Sequence, residues 1–130
     1  MQQRLLLAAA INGFLAVALG AFGAHGLAAR LAQVENAAKR LDWWNTAAHY
    51  HLIHTLALAL LAAFCPQLPP RWAVWAGSSW GIGILLFCGS LYTMSASGRT
   101  ALAVVTPFGG LALLVGWATF AIGALRLAPR

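Results

Sequence analysis

The sequence predicts an all-α, polytopic membrane protein: an antiparallel bundle of four transmembrane helices with a short interfacial helix in its first loop. Of the 130 residues, 62% are hydrophobic and only 8% are charged, whereas about 25% of residues are charged in a typical soluble protein. The mean hydropathy of +0.78 also excludes a disordered chain. Four long apolar runs separated by short polar segments indicate one transmembrane domain, residues 1–130.

The four predicted spans are residues 5–29, 46–64, 72–94 and 102–125. None of them contains Lys, Arg, Asp or Glu, and about 20 apolar residues are enough to cross the hydrocarbon core as a helix. The first run follows Arg4 and could instead be a signal peptide. It is longer than the 7–15 apolar residues of such a segment, so we expect a retained first helix.

The first loop, residues 30–45, has apolar residues at helical spacing among charged ones, which predicts a short helix in the headgroup layer. Its apolar residues are Leu31, Val34, Ala38 and Leu41. Tryptophans stand where the second and third spans begin, as an aromatic belt predicts. They are Trp43, Trp44, Trp72 and Trp75.

The membrane orientation follows from the Lys and Arg residues that flank the spans. On the side of the two termini these are Arg4, Arg71, Arg126 and Arg130. On the opposite side they are Arg30, Lys39, Arg40 and Arg99, so the counts tie. The chain's acidic residues, Glu35 and Asp42, both lie in the first loop and partly offset its charge. The pattern therefore favours cytoplasmic termini.

Small residues recur at alternating spacings of three and four, which suits close helix packing in lipid. The first span carries Ala9, Gly13, Ala16, Gly20 and Gly23. The fourth carries Gly109, Ala112, Gly116, Thr119 and Gly123. A shorter run on the third span contains Gly77 and Gly81. We expect the first and fourth spans to meet along their two stripes.

Antiparallel threading brings the polar residues of the spans to one membrane face. The candidate polar pocket consists of His25, Tyr50, His51, His54, Ser90, Tyr92 and Thr106. His54 lies about 12 Å below Thr46 in the apolar slab and needs a partner. It could form an interhelical hydrogen bond, lie on a proton or ligand pathway, or bind a metal ion.

The sequence predicts neither a metal site nor a cofactor. A structural zinc site needs four Cys or His ligands, and no such motif occurs. Cys65 and Cys88 lie at opposite ends of the bundle, about 25 Å apart along the helix axis. A disulfide requires Cα atoms within about 7 Å, so we expect both cysteines to be free.

Four motifs, in order along the chain, resemble the YgdD family of small integral membrane proteins. They are GAFGAH at 20–25, Tyr50 with HTLA at 54–57, GSLY at 89–92, and TPFGG at 106–110 with Gly116 and Trp117. The resemblance implies a four-span inner-membrane protein with a domain of unknown function, and it supplies no established catalytic residues. His25, Tyr50, His54, Ser90, Tyr92, Thr106 and Pro107 belong to the family pattern. His49 does not belong, and glutamine is frequent at the position of His51, which argues against a three-histidine metal site.

Two functions remain open at this point. The first is a structural or interaction bundle that packs with itself or with a membrane complex. The second is a carrier or channel for protons, a cation or a small molecule that uses the polar pocket. An enzyme is not expected because no catalytic motif and no carboxylate within a span occurs. The expected partners are the lipid bilayer and another membrane protein or a second copy. Nucleic acid is not expected, because the basic residues are scattered singly.

Overall fold

The computed structural model describes residues 1–127. In these residues four helices are long and apolar enough to cross a membrane, which confirms the predicted fold class. Helix α1 is Gln2–Leu31, α2 is Ala37–Phe64 and α3 is Pro70–Ser97. A 3-10 turn, Ala101–Val104, precedes α4, which is Thr106–Ala124.

Two of the helices contain a π-turn, in which the hydrogen bonds are looser than in an α-helix and one extra residue is accommodated. These turns are Gly23–Leu27 in α1 and Ile84–Cys88 in α3. Both lie where a small residue meets a large neighbour. Gly23 faces the indole of Trp44, and the backbone around Phe87 faces Gly109. The π-turns therefore lie at two of the closest helix contacts.

The predicted separate helix in the first loop is not confirmed. Residues 37–45 form the first turns of α2, which begins at Ala37, and residues 32–36 form a turn. Asn36 adopts a left-handed conformation with φ of 68° immediately before α2, and asparagine tolerates this region better than most residues. The apolar residues at helical spacing therefore belong to two helices. Leu31 is the last residue of α1, and Ala38 and Leu41 lie in the first turns of α2, which begins earlier than predicted.

The hairpin α2–α3 is the centre of the bundle, and the outer helices lie on different members of it. Helix α1 packs chiefly against α2, and α4 packs chiefly against α3. The predicted meeting of α1 and α4 along their small-residue stripes is wrong, since each stripe faces its neighbour in sequence instead. A Cβ at Gly13 would touch Thr55 on α2, and one at Gly116 would overlap Trp80 on α3.

The apolar core lies around Trp80, which is completely buried together with Leu61. Ala9 of α1 and Leu113 of α4 belong to the same cluster. Cys65 and Cys88 are both free and buried. Helices α2 and α3 bury a much larger share of their residues than α1 and α4. The outer faces of α1 and α4 therefore provide most of the apolar surface of the protein.

Candidate functional site

His54 lies at mid-membrane on α2, about 15 Å before the end of the helix at Phe64, and both of its ring nitrogens have partners. Trp117 of α4 donates its indole N–H to Nε2 at 3.1 Å. Nδ1 lies 2.8 Å from the carbonyl oxygen of Tyr50. Because the indole can only donate and the carbonyl can only accept, Nδ1 carries the proton and donates it. His54 is therefore a neutral bridge between α2 and α4.

A cavity of about 300 Å³ borders this bridge between α2, α3 and α4. Tyr50, His54 and Trp117 line one part of it. The ring of Tyr50 stacks near His54 and contacts Phe87 with a centroid distance of 4.8 Å. The remaining lining is apolar apart from the glycine at position 110, so His54 supplies the buried polar group of this cavity.

His51 joins three helices through a second set of hydrogen bonds. Asn12 on α1 donates its side-chain N–H to the carbonyl of Ala8. This bond orients the side-chain oxygen of Asn12 towards His51. His51 donates from Nε2 to that oxygen at 3.2 Å, because the amide oxygen can only accept. Nδ1 then accepts from the hydroxyl of Tyr92 on α3 across a longer distance of 3.4 Å. The chain runs Tyr92 to His51 to Asn12.

Ser90 and Thr106 form a third polar link, between α3 and the start of α4. Their hydroxyl oxygens lie 2.8 Å apart, and Ser90 also lies 2.9 Å from the carbonyl of Phe87. Thr106 donates to the carbonyl of Leu102 at 3.3 Å, so Ser90 and Thr106 each have a backbone acceptor within reach. The hydroxyl pair lies beside the π-turn of α3, where α4 begins.

His25 lies apart from these links. It is exposed, and its imidazole forms no hydrogen bond within residues 1–127. The candidate residues thus form three separate groups, namely Tyr50 with His54, His51 with Tyr92, and Ser90 with Thr106. They do not line one common pocket that includes His25. The shared membrane end follows from the hairpin topology, but the side chains point to different neighbours.

Two further polar contacts lie towards the end of the bundle that is opposite the termini. Trp44 on α2 donates its indole N–H to the carbonyl of Leu19 on α1 at 2.8 Å. Arg40 donates from Nε to the carbonyl of Ser95 at 2.7 Å and from Nη2 to that of Ala96 at 2.6 Å. These are carbonyls of the last turn of α3, which carry the negative end of the helix dipole. Arg40 thus caps α3.

The small residues differ in what they meet. Gly23, Gly109, Gly116 and Gly123 each leave no room for a Cβ, because Trp44, Phe87, Trp80 and Trp72 respectively occupy the space. A Cβ at Gly77 would lie 3.0 Å from Leu5 and 3.2 Å from Leu61. Ala16 is buried, and Ala112 is half-buried. Gly20 and Gly81 have no neighbouring atom within 4 Å of the Cβ position, so these two positions do not pack closely.

No group of three His, Cys, Asp or Glu side chains that could hold a metal ion occurs within residues 1–127. His51 and His54 each use both ring nitrogens for neighbours within the bundle. A metal ion would have to displace Trp117 from His54, or Asn12 or Tyr92 from His51.

Residues 19–110 match the family described as "Protein of unknown function (DUF423)". The chain belongs to this family. The UPF0382 inner membrane protein YgdD of Escherichia coli K12 is 42% identical over 123 residues, which cover 95% of this chain and 90% of the relative. A UPF0382 membrane protein of Haemophilus influenzae is 40% identical over 97% of both chains. YwdK of Bacillus subtilis is 39% identical over 90% of this chain and 92% of the relative. No solved structure matches.

The family match and the four apolar helices show a small integral membrane protein of unknown biochemical role. The DUF423 match contains His51, His54, Ser90, Tyr92 and Thr106 but ends before Trp117. No catalytic role is named for the family or for these relatives. The function must therefore be argued from the geometry of this chain.

Trp117 and Arg40 are among the residues of the polar contacts that sequence reasoning missed. Trp117 is the partner of His54, and its position was a usable signal because it lies in the middle of a span, away from the aromatic belts at the ends. Arg40 was counted only as a loop charge, whereas it caps α3. Nothing in its spacing identifies this partner, which is 55 residues away.

Proposed function

We propose that this protein is a structural or interaction bundle, which acts by packing with itself or with a larger membrane complex. The observation that carries the proposal is that three buried polar side chains, His54, His51 and Ser90, are each hydrogen-bonded to a side chain of another helix. A transport pathway needs polar groups that exchange partners with a substrate. In this bundle the corresponding groups join helices instead.

The His54 bridge is the strongest support. Its Nδ1–H is committed to the Tyr50 carbonyl and its Nε2 lone pair to the Trp117 indole. A proton taken up at Nε2 would break the bond to Trp117 and leave a charged imidazolium at mid-membrane, which is costly. The geometry therefore favours a fixed neutral histidine over a proton acceptor or a ligand-binding group.

The outer faces support an association role. On α1 the most exposed large side chains follow a helical stripe, and on α4 a comparable stripe occurs. They are Leu7, Ile11, Phe14 and Val17 on α1, and Phe108, Leu111 and Leu114 on α4. Because α1 and α4 do not pack against each other, both stripes face outwards. Lipid or another membrane protein covers them in the bilayer.

We also propose that the membrane is the bacterial inner membrane and that both termini are cytoplasmic. The printed name of the Escherichia coli relative supports the membrane. Glu35 and Asp42 lower the net charge of the opposite side, and Arg40 on that side is bound to the carbonyls of α3. A reporter fused after Arg130 that is active only in the cytoplasm supports this orientation, and one that is active only outside reverses it.

Flux through liposomes tests the function directly. The purified protein is reconstituted with a pH-sensitive dye or a cation-sensitive dye inside the vesicles. We expect no flux above that of empty liposomes, for the wild type and for His54→Gln alike. His49→Gln is the matched control, because His49 lies on the same helix but is exposed. Flux that His54→Gln abolishes and His49→Gln preserves would establish the carrier instead.

Association is tested by cysteine crosslinking in native membranes. Cysteines replace Phe14 on α1 and Leu114 on α4, one at a time, in a chain whose Cys65 and Cys88 are changed to alanine. We expect at least one of these exposed positions to form a crosslink to a second copy or to another membrane protein. Cysteine at the buried position of Leu61 is the control and should not crosslink. Failure of both exposed positions, together with a monomeric mass in native membranes, contradicts the association role.

A further inference from the structure

A cavity lies between α1 and α3 at the end of the bundle that carries the termini. It measures about 550 Å³, within the range of about 300–1,000 Å³ that is typical of ligand sites. The first turn of α1 forms one wall, and the early turns of α3 form the other. Its lining includes Arg4, Leu5, Ala73, Val74, Gly77 and Ser78.

The cavity reaches from the headgroup level into the hydrocarbon layer. Arg4 and Ala73 lie near the ends of their helices, and Ala73 follows Trp72, a predicted belt residue. Ser78 is five residues further along α3, about 7.5 Å deeper at the rise of an α-helix. Leu5 and Val74 give the cavity apolar walls beside Arg4, and Ser78 adds a hydroxyl at its deep end. The cavity thus combines a cationic side chain at its outer end with mainly apolar walls.

The charged side chains at this end of the described chain are all basic. Arg4 is exposed, and no described residue accepts a hydrogen bond from its guanidinium or forms a salt bridge with it. Arg71 and Arg126 lie at the same end of the bundle, with their guanidinium groups 5.2 and 5.4 Å from the ring centroid of Trp72. The chain's acidic side chains, Glu35 and Asp42, lie at the opposite end. This end therefore attracts anions.

Arg40, at the other end of the bundle, differs from Arg4 in having hydrogen-bond acceptors within the protein. Its guanidinium donates to the carbonyls of Ser95 and Ala96. Arg4 has no such carbonyls, so its guanidinium is available to an anion from outside the described chain. At the headgroup level of a bilayer that partner is a lipid phosphate, and basic pockets between transmembrane helices are known to bind anionic headgroups.

We propose that this cavity binds one anionic phospholipid, with its phosphate at Arg4 and the start of an acyl chain along Leu5 and Val74. The rest of the acyl chains remains in the bilayer beside α1 and α3. A soluble anion would gain the contact with Arg4 but nothing from the apolar lining. The combination of both linings selects an amphiphile with negative charge.

Native mass spectrometry and thermal unfolding in detergent test the site. Purified protein is mixed with phosphatidylglycerol, with phosphatidylcholine of the same acyl chains, or with inorganic phosphate. We expect phosphatidylglycerol to be retained as a single adduct and to raise Tm. We expect the other two to have a much smaller effect. Equal retention and equal stabilisation by both lipids would overturn the proposal, and an equal effect of inorganic phosphate would show a simple anion site instead.

Three variants locate the bound lipid. Arg4→Gln should weaken phosphatidylglycerol binding by about fivefold, which corresponds to the about 1 kcal/mol that one arginine contributes near an anionic surface. Ser78→Phe should reduce binding by filling the cavity while it leaves the charge intact. Arg99→Gln, an exposed arginine at the other end, is the control and should bind as the wild type does. Equal affinity of Arg4→Gln, Ser78→Phe and Arg99→Gln places the lipid elsewhere and overturns the proposal.

Discussion

The indole nitrogen of Trp117 lies 3.1 Å from Nε2 of His54, and this hydrogen bond joins α4 to α2 across the middle of the bundle. The two residues are 63 positions apart in the chain. Trp117 also contacts Trp80, with a centroid distance of 4.9 Å. The histidine–tryptophan pair thus connects a polar bridge to the buried apolar core.

Replacing Trp117 with phenylalanine should destabilise the bundle by removing the donor while it retains an aromatic ring. Hydrogen bonds between membrane helices contribute on average about 0.6 kcal/mol and at most about 1.7 kcal/mol, and we expect a loss in this range plus that of the smaller ring. Reversible unfolding in mixed micelles measures it. Trp75→Phe is the control, since Trp75 is 62% exposed. An equal effect of both variants would show that the bond to His54 contributes nothing.

A methyl group at Gly116 should destabilise the protein because it overlaps the indole of Trp80, which is completely buried. Overpacking of a core typically costs about 1–3 kcal/mol. Gly81→Ala is the matched control, because no atom lies within 4 Å of its Cβ position. Alanine there should be neutral or stabilising by up to about 1 kcal/mol through helix propensity. Thermal unfolding compares the two, and similar Tm values would contradict the packing of α4 against α3.

Removal of the Arg40 side chain should loosen the last turn of α3. Hydrogen bonds that involve a charged group contribute about 1.5–3 kcal/mol, and partial exposure of Arg40 reduces that benefit. We expect Arg40→Ala to cost about 1 kcal/mol and Arg40→Lys to recover part of it. Hydrogen exchange of residues 93–97 measures the local effect. Arg99→Ala should leave this exchange unchanged. Faster exchange in both alanine variants would indicate a general charge effect.

The link between Asn12 and His51 should appear as a coupling energy in a double-mutant cycle. Asn12→Leu and His51→Leu each remove one partner of the 3.2 Å bond. We expect a coupling of about 0.6 kcal/mol, the average for such bonds in membranes. A cycle between Asn12→Leu and Thr119→Ala is the control. Thr119 donates only to carbonyls of its own helix, so this second cycle should be additive. Equal coupling in both cycles would exclude a specific bond.

The spans and their order could be predicted because length and hydropathy alone decide whether a helix crosses lipid. The separate helix in the first loop could not be predicted correctly. A helical spacing at residues 31, 34, 38 and 41 does not show where the chain turns, and the left-handed Asn36 decides that. The boundary between an interfacial helix and the extension of a span depends on one backbone conformation that hydropathy does not encode.

The hydrogen-bond partners of the polar residues were harder to predict than the location of these residues at one end of the bundle. Topology alone brings His51, His54 and Tyr92 to the same half of the membrane. The rotation of each helix then decides that His54 meets Trp117 while His25 remains exposed. The small-residue stripes present the same problem, because glycine permits close approach without specifying the partner. Bulky residues opposite the glycines, such as Trp80, provide that missing information.

The pairing of each outer helix with its neighbour in sequence has a consequence for biogenesis. The α1–α2 and α3–α4 hairpins each place a glycine against a side chain of the same hairpin, as Gly13 does with Thr55 and Gly116 with Trp80. Each hairpin can therefore close as soon as its second helix leaves the translocon, without waiting for the rest of the chain. The contacts between hairpins, among them the bond between Trp117 and His54, are left for a second step within the bilayer.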